Sequence, residues 1–459
     1  MENAMPFDEE MEKLLGEIKR HSHAREESNI NLSYGMASNQ SRGRARREPD
    51  KVGESRTAFA RDRDRLLYSK AFFRLSGKTQ VFMSPRNPLI SNRMTHSLHV
   101  AQLSRAIARW LHLNEDLAEA IALGHDTGHS PFGHMGEKVI NSLSMEHLGK
   151  PFLHNVQSLR VVDILEKGGK GLNLSYEVRE GVIRHCGEVE TGIFVVGEPS
   201  DDLIGTFAHE PSTLEGCVVK LCDRLAYVGK DIEDAAESGI ISQGDIPPAI
   251  SVILGKNNAE IIDTLVRDIV MNFHNDKKKF LEAEGRDPAR KEISIRLSEP
   301  VLNALNTLIR EFNYPRIYHS KASTAYSAQT ETMMRSLFGT FLSELDEMSA
   351  PENNQSTLHR FQDQNGENPL LKKSLGELEE LTGTHAQEVI NSARILIIKE
   401  NLEIFSGSRS SILYFLNQMD QEYWVRTNNA QMVIDYITLM TDMVATAIFE
   451  SLTIPRPMV

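Results

Sequence analysis

Cysteine is scarce in this chain: Cys186, Cys217 and Cys222 are the three among 459 residues. They form no CxxC pair and cannot build a disulfide framework, which points to a reducing compartment. Positive charge is also in deficit, with 51 Lys and Arg against 64 Asp and Glu and a net charge of -13. That balance excludes a chain that coats nucleic acid or an anionic membrane all over, while leaving local basic surfaces possible. No apolar run approaches the length needed to span a bilayer, and the acidic N-terminus lacks a signal-peptide pattern. There is no internal repeat and no heptad series. Together these absences predict a soluble, cytoplasmic protein.

What is present is a mostly α pattern. An apolar content of 40% over this length can bury a large core, and the length allows two or three domains without requiring them. Residues 1–54 are polar and carry the cluster Arg42, Arg44, Arg46 and Arg47, which reads as a flexible arm. Order is expected from Ser55. Apolar positions Met94, Leu98, Ala101, Ile107 and Leu111 predict a helix from Asn92 to Leu111. Further helices are expected over 155–167, from Ser175 to near Gly187, and from Thr213 to a stop at Gly239. Residues 188–212 read as loop with a little strand. Beyond Pro247 the helical rhythm continues, interrupted by polar loops at 275–279 and 349–368. The resulting division is an arm over 1–54, a core over 55–240 and a helical C-terminal region over 241–459 packed on that core.

The chain is organised around Leu123-Gly-His-Asp-Thr-Gly-His-Ser-Pro-Phe-Gly-His-Met-Gly-Glu137. Asn114 as a cap, with Glu115 and Asp116 in the first turn, starts a helix that ends near His125 and Asp126. A Gly/Pro loop then re-aims the chain. A second helix from Gly133 carries His134 and Glu137 at i,i+3 on one face. On the earlier helix Arg93 and His96 share a face, and on the later one Asp223, Tyr227 and Asp231 form one stripe.

His96, His125, Asp126 and Asp223 can supply two imidazoles and two carboxylates from three separate helices. Such a mixed N/O set suits Mn, Fe, Co, Ni or Mg better than a closed structural zinc site, which favours Cys. Four protein ligands on an octahedral ion leave room for a water and a substrate oxygen, the arrangement that activates water and polarises a phosphoryl group. His134, oriented by Glu137, would be a general acid or base. Arg93, Lys78, Arg74 and the histidines can neutralise phosphates.

These motifs, Arg93-x-x-His96-Ser-Leu, His125-Asp126, His134-x-x-Glu137 and Asp223-x3-Tyr227-x3-Asp231, resemble the HD superfamily, and within it the dGTPase-like deoxynucleoside triphosphate triphosphohydrolases. Lys78-Thr-Gln-Val-Phe82, Ser130-Pro-Phe-Gly-His134, Asp435-Tyr-Ile437 and Met440-Thr-Asp442 agree as well. The resemblance is dense from Arg56 to Asp234 and thin from there to Ile434. It implies an HD-domain helical core with additional C-terminal helices. It also implies hydrolysis of a dNTP, dGTP alone or several, to deoxynucleoside and intact triphosphate.

Carried over by position, the resemblance makes His96, His125, Asp126 and Asp223 the metal ligands, for Mn2+, Mg2+, Fe2+, Co2+ or Ni2+. It makes His134 catalytic with Glu137 holding it, and sets His129 by the phosphates in the same catalytic group. Arg93 would meet the α-phosphate, with His154 and Arg224 as further phosphate contacts. Gln80 and Leu75 would lie by the sugar, and Tyr227 with Asp231 would engage the 3′-hydroxyl and leave no room for a 2′-hydroxyl. The pattern departs at Phe73, where relatives often have Arg beside Arg74. A homo-oligomer, hexamer or tetramer, is implied, with single-stranded DNA or a dNTP as effector and no membrane partner. Two alternatives stay open: an HD phosphohydrolase on another nucleotide, disfavoured because no GYP-type extension follows the HD pair, and a regulatory nucleotide- or DNA-binding protein with a vestigial site. The remaining histidines, His99 and His185 among them, read as structural.

Overall fold

The computed structural model describes residues 9–30, 34–48, 55–82, 87–187, 192–242, 244–321, 325–349 and 412–453. Among the described residues the structure is mostly helical, as the apolar periodicity predicts, with two short strands. Its chain path divides into two compact units: Met1–His129 with His154–Asp163 and Leu172–Tyr326, and Ser130–Leu153 with Ile164–Gly171 and Ser327–Val459. This differs from the sequence division at 240, because the helix that starts at Gly133 belongs with the C-terminal helices.

The first unit contains α1 (Glu9–Asn29), α2 (Ala58–Leu67), α3 (Lys70–Arg74), α4 (Arg93–Trp110) and α5 (Glu115–Gly124). The second unit contributes α6 (Gly133–Leu148), after which the first resumes with α7 (His154–Arg160), α8 (Tyr176–Arg184), α9 (Leu214–Glu237), α10 (Pro248–Leu254), α11 (Asn258–Glu284) and α12 (Glu299–Thr307). The short strands β1 (Ile193–Phe194) and β2 (Ile295–Arg296) pair antiparallel, with Ile193 opposite Arg296.

Helix starts follow local chemistry. Asn92, Asn114 and Thr213 each accept a hydrogen bond from a first-turn backbone N–H of α4, α5 and α9. The apolar stripes then meet: Val100 and Ile107 of α4, Leu117 and Ile121 of α5, and Val218 and Leu225 of α9 are all buried in one core. Helix α8 comes close enough to α5 that a Cβ on Gly181 would stand 2.5 Å from Ile121 Cδ1. The polar stretch 275–279, expected as a loop, lies within the continuous helix α11. Its buried positions Ile261, Leu265, Ile269 and Phe273 form the apolar stripe, and its polar residues extend the helix beyond them. The other expected loop, over 349–368, falls outside the described residues from 350 onward.

The described part of the N-terminal segment, residues 9–30 and 34–48, is not a free arm. Helix α1 covers Glu9–Asn29, and residues 34–48 pack on the first unit. Tyr34 and Ala37 are buried, and Arg44 donates to the buried carboxylate of Asp62 at 2.5 Å. Glu48 accepts from Arg65 at 2.7 and 2.8 Å and from Asn173 at 2.8 Å. These partners lie far away in sequence, so composition alone shows only the polarity.

The Glu48 cluster makes a stability prediction. Burial pushes this carboxyl up, but Arg65 and Asn173 outweigh it and bring it down to about 2. A depressed carboxyl contributes stability above its unfolded value of 4.5, and that stability is lost as the pH falls through about 2. Glu48→Gln is therefore expected to cost about 1 kcal/mol at neutral pH, the upper end for a partly exposed pair. The difference from wild type should shrink to nothing in acid, read by urea unfolding at several pH values. An equal loss at every pH would show that packing, not charge, holds the segment.

In the second unit, α6 packs against α13 (Ser327–Ser349) and α16 (Asn429–Thr438), and α13 also packs against α17 (Asp442–Thr453). Between them run α14 (Ile412–Asn417) and α15 (Gln421–Arg426). Ile140 and Leu143 of α6, Leu337 and Phe341 of α13, and Val433 and Ile437 of α16 are buried. The conspicuous C-terminal acids have defined tasks: Asp442 accepts from the backbone N–H of Phe132 at 2.8 Å, and Asp435 accepts from Tyr423 Oη at 2.9 Å. Phe132 has a left-handed backbone, φ 62°, immediately before α6. The Asp442 bond thus holds a strained turn that a non-glycine residue rarely adopts. Among the described residues no helix is long and apolar enough to cross a membrane.

Candidate metal centre

Helix α4 begins with a reciprocal cap, in which Asn92 Oδ1 accepts from Thr95 N and Thr95 Oγ1 accepts from Asn92 N, both at 3.0 Å. That cap fixes the first turn, where Arg93 and His96 lie on one buried face. Helix α5 delivers His125 at its C-terminal cap, followed directly by Asp126. The next residues form a tight turn closed by Thr127 Oγ1 on Gly124 O and by His129 N on Asp126 O. The turn runs hard against α7: a Cβ on Gly128 would sit 2.1 Å from Ser158 N. Only glycine permits this approach. Lys78, itself buried, donates its ammonium to His129 O, so it ties down the turn.

Three of the four expected ligands converge. One donor atom each from His96, His125 and Asp223 lies within 4.8 Å of the others. His96 Nε2 is 2.8 Å from Asp223 Oδ1, and His125 Nε2 is 3.5 Å from the same oxygen. Neighbouring ligands of an octahedral ion with bonds of about 2.1 Å stand roughly 3 Å apart, so these spacings fit such an ion. The fourth expected ligand, Asp126, has its Oδ1 3.7 Å from His125 Nε2. His125 Nδ1 donates to Ala122 O at 2.6 Å, which orients the ring with Nε2 toward the carboxylates.

The charges are arranged to keep both acids ionised. Burial pushes Asp126 up, but Arg93 and His125 outweigh it and hold it well below the usual carboxylate range. Asp223 is likewise held low against burial by His125 and His96. Burial lowers His125, yet Asp126 and Asp223 prevail and push it up to about 9. Two carboxylates that hold a proton on a buried imidazole are chemically prepared to exchange it for a divalent cation.

Of the other expected residues, Arg93 lies directly against Asp126. Arg93 Nη1 donates to Asp126 Oδ2 at 2.5 Å, while its buried Nε and Nη2 make no hydrogen bond. His129 stacks on His154 with ring centroids 4.4 Å apart, and donor atoms of Asp126, His129 and His154 lie within 4.8 Å of one another. Asp231, two turns beyond Asp223 on α9, accepts from Tyr318 Oη at 2.7 Å. Burial pushes this carboxyl up to about 7. Gln80 has a buried Oε1 without a hydrogen bond. Three expectations look different in place. Arg224 donates to Asn306 of α12 at 2.5 Å, a tie between helices. Leu75 is wholly buried in the hydrophobic core, a packing position. His185, expected to be structural, has its ring 5.0 Å from that of His125 and 5.4 Å from that of His154.

His134 and Glu137 belong to the second unit. At i,i+3 on α6 their Nδ1 and Oε2 atoms are 3.6 Å apart, and the His134 side chain is 83% exposed.

The sequence gives no sign of Tyr318. It lies 87 residues after Asp231 in a π-helical segment, Leu308–Tyr318, that carries Pro315. A proline lacks the N–H of a regular helix, and π segments concentrate at functional sites, so Pro315 is the local signal available. Asn313 of that segment donates to Val228 O on α9 at 3.1 Å and anchors it.

Residues 93–228 match the HD domain family. The deoxyguanosinetriphosphate triphosphohydrolase-like protein of Caldanaerobacter subterraneus subsp. tengcongensis is 41% identical over 315 residues, 69% of this chain and 80% of that protein. The protein of the same description from Desulfatibacillum aliphaticivorans is 37% identical over 321 residues, 70% of this chain and 84% of its own length. That from Clostridium tetani is 37% identical over 317 residues, covering 69% and 82%. With its His/Asp cluster inside the matched segment and these relatives aligned along most of their length, the chain belongs to the deoxyguanosinetriphosphate triphosphohydrolase-like family of metal-dependent HD phosphohydrolases.

Proposed function

We propose that this protein is a dNTP triphosphohydrolase, converting a deoxynucleoside triphosphate and water into deoxynucleoside and intact triphosphate. The observation that carries the reading is Arg93. It is buried beside the His/Asp cluster, paired through one nitrogen to Asp126, with two further buried N–H groups lacking an acceptor. Buried unpaired donors on a guanidinium are costly, and a phosphate oxygen is the acceptor that best fits their fork. The relatives' names point to a triphosphate of deoxyguanosine.

His96, His125, Asp126 and Asp223 would hold the divalent ion, which when bound would lower the pKa of a water and polarise the phosphoryl group. Arg93 takes an α-phosphate oxygen, and His129 with His154 faces the remaining phosphates. The attacking oxygen forms a bond to the α-phosphorus as the bond from phosphorus to the 5′-oxygen breaks. By the family resemblance, His134 with Glu137 would give the 5′-oxygen its proton, so the leaving group would depart as a neutral alcohol. Tyr227 and Asp231 engage the 3′-hydroxyl, with Tyr318 holding the Asp231 carboxyl in place. Assembly as a homo-oligomer in the cytoplasm, answering to single-stranded DNA or a dNTP, follows from the same resemblance.

The test is incubation of the purified protein with Mn2+ or Mg2+ and each of the four dNTPs, singly and mixed, with nucleoside and phosphate products separated by chromatography. Deoxynucleoside with intact triphosphate is expected. Pyrophosphate or orthophosphate as first product would refute cleavage at the α-phosphorus. Tyr227→Ala is expected to admit ribonucleotides before it abolishes turnover, read as the ratio of kcat/KM for a dNTP to that for its ribonucleotide. Unchanged discrimination would move sugar selection to another residue.

A further inference from the structure

Helix α8 ends in chemistry that the reaction above does not use. Arg184, fully buried, pairs with Glu180 at 2.6 Å and donates to the carbonyls of Glu198 and Glu210 at 2.9 and 3.1 Å, so the end of the helix is fixed. His185 occupies the C-terminal cap, Cys186 follows, and Gly187 turns the chain away with φ 102°. Cys186 Sγ stands 3.2 Å from His154 Nε2 and 3.3 Å from His185 Nε2. All three donor atoms fall within 4.8 Å of one another.

We propose that His154, His185 and Cys186 form a second metal site, selective for a soft divalent ion such as Zn2+, beside the His/Asp cluster. The spacing supports it. A Zn–S bond of about 2.3 Å and a Zn–N bond of about 2.0 Å at the tetrahedral angle put sulfur and nitrogen about 3.5 Å apart. Both sulfur–nitrogen distances here lie a few tenths of an ångström below that, so small outward movements admit the ion. The orientation supports it too. His185 Nδ1 donates to Val182 O at 2.7 Å, leaving Nε2 as the lone pair that faces the thiol, which is how protein metal sites fix their imidazoles. The donor set differs in kind from the neighbouring cluster: one thiolate and two imidazoles select zinc, whereas the carboxylate-rich set accepts harder ions. Three protein ligands leave a fourth position for water or a substrate oxygen.

The consequence rests on the phosphate role given above to His154. An ion on its Nε2 withdraws it from the phosphates, so Zn2+ acts as an inhibitor while Mn2+ or Mg2+ serves the first site.

The experiment starts with full-length protein stripped of metal by chelation and loaded with Co2+ alone. A thiolate-to-cobalt charge-transfer band in the near ultraviolet is expected, lost in Cys186→Ser and kept in Asp126→Asn. Cys217 and Cys222 are wholly buried with their thiols pushed up by burial, so they supply no such band. Zn2+ titration against a chromophoric chelator should find one ion more per chain in wild type than in Cys186→Ser. Zn2+ should also shield Cys186 from alkylation in the wild-type protein, a readout independent of any variant's folding. With Mn2+ present, Cys186→Ser should retain basal turnover and need at least 10-fold more Zn2+ for the same inhibition, the scale on which outer partners alter metal affinity. Equal zinc stoichiometry in both proteins, or no charge-transfer band in wild type, would overturn the site. A failure of the phosphohydrolase reading looks different: the band and the extra zinc would persist without nucleotide turnover.

Discussion

Asp126→Asn gives a folded protein that no longer retains a divalent ion at the His96, His125 and Asp223 cluster. Its turnover falls by more than the roughly 10- to 100-fold that loss of an outer partner costs a metal site. The choice of asparagine matters, because Asp126 has two tasks. Its Oδ1 faces His125 Nε2 at 3.7 Å, and its Oδ2 accepts from the buried Arg93 at 2.5 Å. Asparagine keeps an acceptor for Arg93 while removing the charge that attracts the ion. Asp126→Ala removes both, leaving a buried guanidinium without its counter-charge at about 3–5 kcal/mol. The alanine variant is therefore expected to melt well below the asparagine variant when both are measured in chelator. Equal melting points would show that Arg93 is not held by this pair.

The same cluster sets a pH dependence. His125 is pushed up to about 9 from an ordinary 6.5, so in ion-free protein its protonated form contributes stability below pH 6.5 that is lost as the pH rises through about 9. A metal ion must displace that proton. Ion affinity should accordingly climb across pH 6.5 to 9, while the melting point of the ion-free protein declines over the same interval. Flat affinity across it would mean that His125 binds no proton the ion has to remove.

The parts of this site that can be read from sequence are those set by neighbours along the chain. Asn92, Asn114 and Thr213 announce three helices because a cap acts within one turn, and periodicity then assigns His96, Asp223 and Asp231 to faces. His125-Asp126 and His134-x-x-Glu137 are similarly local. What escapes is pairing across the chain. Tyr318 reaches Asp231 through an irregular segment, and no periodicity marks it. Cys186 and His185 are adjacent, but their third member, His154, stands 32 residues upstream of Cys186 on another helix. The N-terminal segment looks like a free arm because its polar residues dominate, whereas Arg44 and Glu48 find partners at Asp62, Arg65 and Asn173. The division into two units escapes for the same reason: the start of α6 at Gly133 is readable in sequence, but its partners α13 and α16 are not. Asp442 is visible as a motif residue, yet its bond to Phe132 N appears only in the fold.

That bond bears on the second large effect, at His134. The turn before α6 has a left-handed Phe132 held by Asp442, and α6 then presents His134 outward with Glu137 one turn away, 3.6 Å from its Nδ1. A carboxylate on Nδ1 orients the ring and leaves Nε2 as the proton-exchanging nitrogen. Because the imidazole is exposed and makes no part of the core, His134→Ala should leave the melting point and ion content unchanged. Its effect should fall on kcat, by the 10²- to 10⁴-fold assigned to a general acid or base. Glu137→Gln keeps the packing and weakens only the orientation, so its loss should be smaller and should vanish in the His134→Ala background. Independent effects in the double variant would separate the two side chains. A His134→Ala enzyme with full kcat would remove proton transfer from α6 altogether. Asp442→Asn offers the complementary measurement, since asparagine still accepts from Phe132 N. It should preserve kcat, whereas Asp442→Ala should lower kcat in proportion to how far the turn relaxes.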